Sequence, residues 1–259
     1  MPVSPALQTS PSEPFLPWGL PRADAHVRVF CVPYAGGGAT VFHAVRAALP
    51  REVDLCPLQL PGREERLSEP PLTCLAQLSP KLLAVLEPFL GAPFALLGYS
   101  MGAIVAYDLA RRLSAAGTAS LRHLVVCARR NPLAPSPWRD SAQESDEGMI
   151  ARLKTLGGTP DEVFAHPDLL ALIVATLRAD FQINDSLKEA VSTLPTLSCP
   201  VTAIGGLGDS HVTTEDLEAW QGVTTGRFQR RSMPGGHFFI REKPAEFARV
   251  VARAVLSDT

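Results

Sequence analysis

The sequence predicts an α/β fold: a mostly parallel central sheet flanked by helices, with a helical insertion late in the chain. Three observations predict it. Apolar runs of strand length alternate with helical patterns from Val27 to Cys127, the spacing of parallel βαβ units. No convincing strand occurs from Asn131 to Pro195, where helical periodicity takes over. Strand-like runs then resume at Pro200, so the insertion interrupts one sheet.

Composition sets the bounds. At 259 residues, with 46% apolar and 19% charged residues, the chain has material for a large core. A net charge of −2 with mixed signs gives no nucleic-acid footprint. No run of eighteen apolar residues is present, so no membrane span is expected. The start of the chain has neither a basic nor an apolar leader segment, so a cytoplasmic location is expected. The cysteines (Cys31, Cys56, Cys74, Cys127, Cys199) are scattered and never C-x-x-C, as expected of buried, reduced thiols. No metal motif and no cofactor motif is found. With no long exposed apolar seam, a monomer is expected.

Residues 1–24 are proline-rich and aperiodic, an irregular arm before a domain spanning 25–259. Val27–Val32 is the first strand, followed by Pro33-Tyr34-Ala35-Gly36-Gly37-Gly38 and a helix over Thr40–Leu49. That glycine-rich loop is not a dinucleotide or phosphate motif: the third glycine of G-x-G-x-x-G would fall on Val41, and no G-K-[ST] follows. Val53–Leu58 is a second strand. Leu60-Pro61-Gly62-Arg63 turns the chain, and Arg63-Glu64-Glu65-Arg66 is expected to be a solvated charged face. Leu75–Phe89 is amphipathic, Phe94–Leu97 is a strand, Ala103–Leu113 a helix, and Leu121–Cys127 a strand.

Within the insertion, helices are expected over Asp146–Leu156, near Pro160–Phe164 and over Asp168–Phe181. Ile150, Leu153 and Leu156 share one face, and Leu169, Leu170, Ile173, Leu177 and Phe181 form a stripe. An insertion of this length, about 131–195, is expected to act as a lid. Pro200–Gly205 and Phe228–Met233 complete the strands, and a helix over Pro244–Leu256 closes the chain.

Gly98-Tyr99-Ser100-Met101-Gly102 lies between a strand and a helix, the context in which G-x-S-x-G carries a nucleophile. The sharp turn strains the serine backbone and lifts its hydroxyl clear of the sheet. It also puts the Met101 N–H in the first turn of a helix, where an anion is favoured. Ser100, Asp209 and His237 follow in the chain order of α/β-hydrolases, each just after a strand. Strand C-termini of a parallel sheet share one edge, so the three can meet there: Ser100 as nucleophile, His237 as base, Asp209 orienting the imidazole. Oxyanion donors are expected from the Met101 N–H and from the loop after the first strand, where Ala35 N–H is assigned with Gly36 as the alternative. His211, two residues from Asp209, is too close in sequence for both to serve one relay. Asp180 and Asp185 are reserve acids. His26, His43, His123 and His166 are ordinary surface or helix-end histidines.

Pro33-Tyr34-Ala35-Gly36-Gly37, Leu60-Pro61-Gly62-Arg63, Gly98–Gly102, Gly206-Leu207-Gly208-Asp209 and Pro234-Gly235-Gly236-His237-Phe238-Phe239 together resemble the type II thioesterases of polyketide synthases and nonribosomal peptide synthetases. The resemblance runs from about Phe30 to the C-terminus. It implies an α/β-hydrolase that cleaves stalled or wrong acyl groups from the phosphopantetheine arm of acyl or peptidyl carrier proteins. The family's catalytic residues match Ser100, Asp209 and His237, and its oxyanion donors match Met101 and Ala35. Tyr99 stands where relatives often carry histidine, a difference expected to alter the pocket mouth. Taken without the resemblance, the residues support a serine hydrolase of acyl compounds with a helical lid. A medium-chain fatty-acyl carrier-protein thioesterase, a general carboxylesterase and a scaffold binding carrier proteins through Arg129 and Arg130 stay open as alternatives.

Overall fold

A computed structural model describes residues 15–132, 141–157, 159, 161–187 and 196–257. Six strands form one sheet: β1 (Val27–Val32), β2 (Val53–Pro57), β3 (Phe94–Tyr99), β4 (Leu121–Cys127), β5 (Val201–Gly206) and β6 (Phe228–Met233). All pair in parallel, in the order β2-β1-β3-β4-β5-β6. The helices are α1 (His43–Ala48), α2 (Leu75–Leu86), α3 (Met101–Ala115), α4 (Asp146–Leu156), α5 (Asp161–Phe164), α6 (Pro167–Asp185), α7 (Thr214–Glu218), α8 (Phe239–Glu242) and α9 (Pro244–Leu256).

The apolar runs follow from burial on both faces of the sheet. Phe30, Val32, Leu96, Val126 and Ala203 face α2 and α3, whereas Val29, Cys31, Leu97, Val125 and Ile204 face α1 and α9. The chain steps outward from β1 to β2, then returns past β1 to β3. That reversal opens a crevice beyond the strand C-termini, where open α/β sheets bind ligands. The loop after β1 and the turn after β3 flank it.

The turn from β3 into α3 is pressed against β1. A Cβ on Gly102 would lie 2.1 Å from the Val32 carbonyl oxygen, and one on Gly98 would lie 2.1 Å from the Gly102 carbonyl oxygen. Neither position accepts a side chain without moving a strand.

Ahead of β1, Phe15 and Leu16 are buried, and Trp18 stacks on His43 with ring centres 4.4 Å apart. Residues 1–14 of the expected arm lie outside the described residues. The helices of the insertion gather an apolar cluster of their own from Ala142, Met149, Leu153, Val174, Leu177 and Phe181. Of its expected stripe, Leu177 and Phe181 are buried and Leu170 and Ile173 pack against the cluster, whereas Leu169 is 44% exposed and Val174 joins the buried face. The C-terminal half of α6 packs on α3, so burial there outranks the periodicity at its start. Pro160 and residues 133–140 and 188–195 of the insertion, and the Leu156 side chain, lie outside the described residues.

Two further expectations are overturned. Arg63 and Arg66 are 5% and 7% exposed, not a solvated face. Both guanidinium groups are paired, Arg63 with Asp180 and Arg66 with Glu69. Arg66 also lies over the Phe15 ring. His123 is buried within β4, its Nε2 within 2.8 Å of the Thr202 hydroxyl on β5. The five cysteines are free, and burial pushes the Cys31 and Cys127 thiols well above their ordinary range.

Gly102→Ala is expected to destabilise the fold by more than about 3 kcal/mol, since backbone rather than a flexible side chain must yield. Chemical denaturation checks this; a shift of less than about 1 kcal/mol would show that the turn has room to relax.

Candidate active site

Ser100 sits between β3 and α3 with φ 52° and ψ −113°, a left-handed backbone that costs a serine about 1–3 kcal/mol. Its N–H donates to the Cys127 carbonyl at 2.8 Å, which ties the turn to β4. The side chain therefore leaves the sheet edge at a fixed place.

Asp209 and His237 come to it on two loops bonded to each other. The Leu207 N–H donates to the Met233 carbonyl and the Gly208 N–H to the Gly235 carbonyl, both at 2.8 Å. His237 Nδ1 lies 2.7 Å from Asp209 Oδ2, and His237 Nε2 lies 3.1 Å from Ser100 Oγ. The second carboxylate oxygen, Oδ1, accepts the His211 N–H at 2.8 Å. The Asp209 side chain is fully buried and that of His237 is 11% exposed. With a proton on Nδ1 the imidazole donates to Asp209 and turns its free Nε2 lone pair toward Ser100. The His211 ring stands 6.0 Å from that of His237, edge to face.

The Met101 amide, at the first position of α3, and the Ala35 amide have no hydrogen-bond partner among the described residues. The Gly36 amide does: it donates to Asp180 Oδ2 at 2.7 Å. Of the two donors expected from this loop, Gly36 is thus committed elsewhere. Asp180 is held in turn by Arg63 through two bonds, at 2.7 and 2.8 Å. Arg63 also donates to the Gly37 carbonyl at 3.2 Å. One buried, bidentate pair therefore pins the loop after β1 to α6. Asp180, a reserve acid in the sequence, is fully used by this pairing. Arg63 and Asp180 lie 117 positions apart, so no local pattern announces their contact.

The sequence matches the thioesterase domain family over residues 27–255. The chain belongs to that family. Gramicidin S biosynthesis protein GrsT of Aneurinibacillus migulanus is 37% identical over 229 residues, 88% of this chain and 89% of that protein. Among solved structures, the RedJ thioesterase of the prodiginine pathway in Streptomyces coelicolor superposes with a TM-score of 0.81 at 34% identity, covering 90% of this chain and 91% of RedJ. The type II thioesterase BorB of the borrelidin cluster gives 0.79 at 34%, covering 90% and 94%. The fold is that of the α/β-hydrolases, and the enzyme is a hydrolase acting on thioesters.

In this thioesterase Ser100 and His237 border a cavity of about 610 Å³. Leu153, Ile173, Leu177 and Phe181, from α4 and α6, give it an apolar wall. Arg129 and Arg130 border it too. Arg130 pairs with Asp216 at 3.0 Å. Among the described residues no group of His, Cys, Asp and Glu could hold a metal ion, and no helix is long and apolar enough to cross a membrane.

Tyr99 is not at the cavity mouth. It is fully buried on the α1–α9 side of the sheet, its ring 5.1 Å from Phe239 and 6.2 Å from Phe247. Its hydroxyl donates to the His237 carbonyl at 2.5 Å. Burial pushes the phenol well above its ordinary pKa, so it stays a donor. Residues two apart on a strand share a face, so Tyr99 had to point with Leu97, into the core.

Asp180→Asn strands a buried guanidinium and is expected to cost about 3–5 kcal/mol in denaturant unfolding. The double variant Arg63→Met, Asp180→Leu is expected to regain much of that stability while turnover stays low, because the Gly36 amide loses its acceptor. Full turnover in the double variant would remove any positioning role for the pair. Tyr99→Phe leaves the His237 carbonyl unpaired and is expected to cost about 1–3 kcal/mol, together with a fall in kcat. Unchanged kcat and stability would show that water replaces the hydroxyl.

Proposed function

We propose that this thioesterase releases acyl groups from the phosphopantetheine arm of acyl or peptidyl carrier proteins, clearing stalled or aberrant units in polyketide or nonribosomal peptide assembly. One observation carries the reading: the Ser100–His237–Asp209 chain of hydrogen bonds at the foot of a partly apolar cavity. Likeness to GrsT, a gramicidin S biosynthesis protein, and to BorB, a type II thioesterase, supports the substrate class.

Ser100 Oγ attacks the thioester carbon while His237 Nε2 takes its proton. The carbonyl oxygen becomes an oxyanion facing the Met101 and Ala35 N–H groups, each worth about 3–4 kcal/mol of barrier. The C–S bond breaks, and the imidazolium gives its proton to the departing thiol. Water, deprotonated by His237, then attacks the acyl-enzyme and frees the acid. Asp209 keeps the imidazole in one tautomer and balances its charge throughout. Residues of the insertion, about 131–195, serve as the lid over the cavity. The enzyme works in the cytoplasm as a monomer and needs no cofactor, since the phosphopantetheine arrives on its carrier.

Mass spectrometry of an acylated carrier protein, beside a simple oxyester, tests the reading. Wild type is expected to strip the carrier faster than it cleaves the oxyester, and Ser100→Ala to lose about 10⁶-fold in turnover. Near-normal activity of that variant overturns the assignment; cleavage of the oxyester alone makes the protein a general esterase. A disulfide pinning α4 and α6 over the cavity is expected to block carrier-bound substrates, and unchanged rates would place entry elsewhere.

A further inference from the structure

Arg129 borders the cavity and has no part in the acyl-transfer steps. The residue before it, Ala128, is held at φ 49°. Ser100 and Glu64 are the other non-glycine residues at positive φ among those described, and all three border the same cavity. Backbone strain of this kind persists where the surroundings fix a site. Ala128 stands one step beyond Cys127, the register partner of Tyr99, so it is level with Ser100 on the neighbouring strand. The Trp220 Nε1–H donates to the Arg129 carbonyl at 2.8 Å and fixes the backbone there.

The Arg129 side chain is handled differently from those of Arg63, Arg66 and Arg112. Arg63 has Asp180, Arg66 has Glu69 and Arg112 has Asp108. Arg129 makes no side-chain hydrogen bond or ion pair among the described residues, and its Nε is buried without an acceptor. Burial, and then repulsion from Arg130, pull the guanidinium down to about 10, against an opposing pull from Asp185. It is still a cation at neutral pH. Asn184, next to Asp185 at the end of α6, borders the same cavity with its Oδ1 buried and without a partner among the described residues. Turning that amide over presents its NH2 instead.

A guanidinium with a buried nitrogen left without an acceptor is costly, and its planar donor set matches an oxyanion. We propose that Arg129 is a specificity site for an oxyanion carried by the substrate, either a carboxylate on the acyl group or the phosphate of the carrier arm. The apolar wall from α4 and α6 then takes the hydrocarbon part, and Arg129, with Asn184 beside it, takes the charge. The proposal rests on the reading of Ser100 as the nucleophile in this cavity.

Two pairs of thioesters separate the sources. Succinyl and butyryl N-acetylcysteamine differ by one carboxylate in the acyl group. Butyryl phosphopantetheine and butyryl pantetheine differ by one phosphate in the arm. kcat/KM is measured for wild type, Arg129→Met and Arg129→Lys. If the oxyanion is on the acyl group, the succinyl-to-butyryl ratio falls by about tenfold or more in Arg129→Met and recovers in part in Arg129→Lys. If it is on the arm, the phosphorylated-to-unphosphorylated ratio does so instead. If neither ratio moves, the proposal is overturned. Equilibrium binding of the matching amide analogues, with nitrogen in place of sulfur, gives the same ratios without any cleavage. A charge preference there that is lost in Arg129→Met upholds the oxyanion site even if Ser100 proves not to be the nucleophile. Equal binding of charged and uncharged analogues overturns it whatever Ser100 does.

Discussion

The close approach of the β3–α3 turn to β1 governs the molecule. Gly102 lies directly against the Val32 and Pro33 carbonyls, so the turn and the loop after β1 share one wall. That contact accompanies the left-handed backbone of Ser100 and brings the start of α3 and the loop after β1 to one cavity, at the reversal of strand order. Close-packed backbone, not side-chain chemistry, is therefore the first condition for a site here.

Around that turn the loops are locked by buried polar groups. The carboxylate of Asp209 is shared between His237 and the His211 amide, and that of Asp180 between Arg63 and the Gly36 amide. Each fixes a loop that has little apolar side chain with which to pack. Such networks stabilise only when complete, since a buried charge left alone costs more than the pair contributes. Arg129 differs from Arg63: it borders the cavity, and its Nε has no acceptor among the described residues.

The helices of the insertion obey a different balance. Their apolar cluster is small and partly separate from the two cores of the sheet. Leu153, Leu177 and Phe181 both belong to that cluster and line the cavity, so they stabilise these helices and shape the site at once. The Arg63–Asp180 pair joins α6 to the loop after β1.

The parallel sheet was legible because strands buried on both faces leave unbroken apolar runs, such as Val29–Val32 and Leu124–Cys127, separated by helical periods. Ser100, Asp209 and His237 were legible because strand ends of one sheet share an edge, which local spacing suffices to locate. The fate of Arg63-Glu64-Glu65-Arg66 was not, nor the burial of His123, because their partners Asp180 and Thr202 are distant in sequence. Tyr99 was misplaced for a related reason: motif position says which residue flanks the serine, while the strand pleat says which face it takes. The sequence by itself determined the order of elements and the residues brought to the sheet edge, since hydrophobic period and turn chemistry are local properties. Only the tertiary structure decided which charges are buried, which amides stay open and which face of α6 meets the cavity, since each of these depends on contacts between segments that the chain alone does not place side by side.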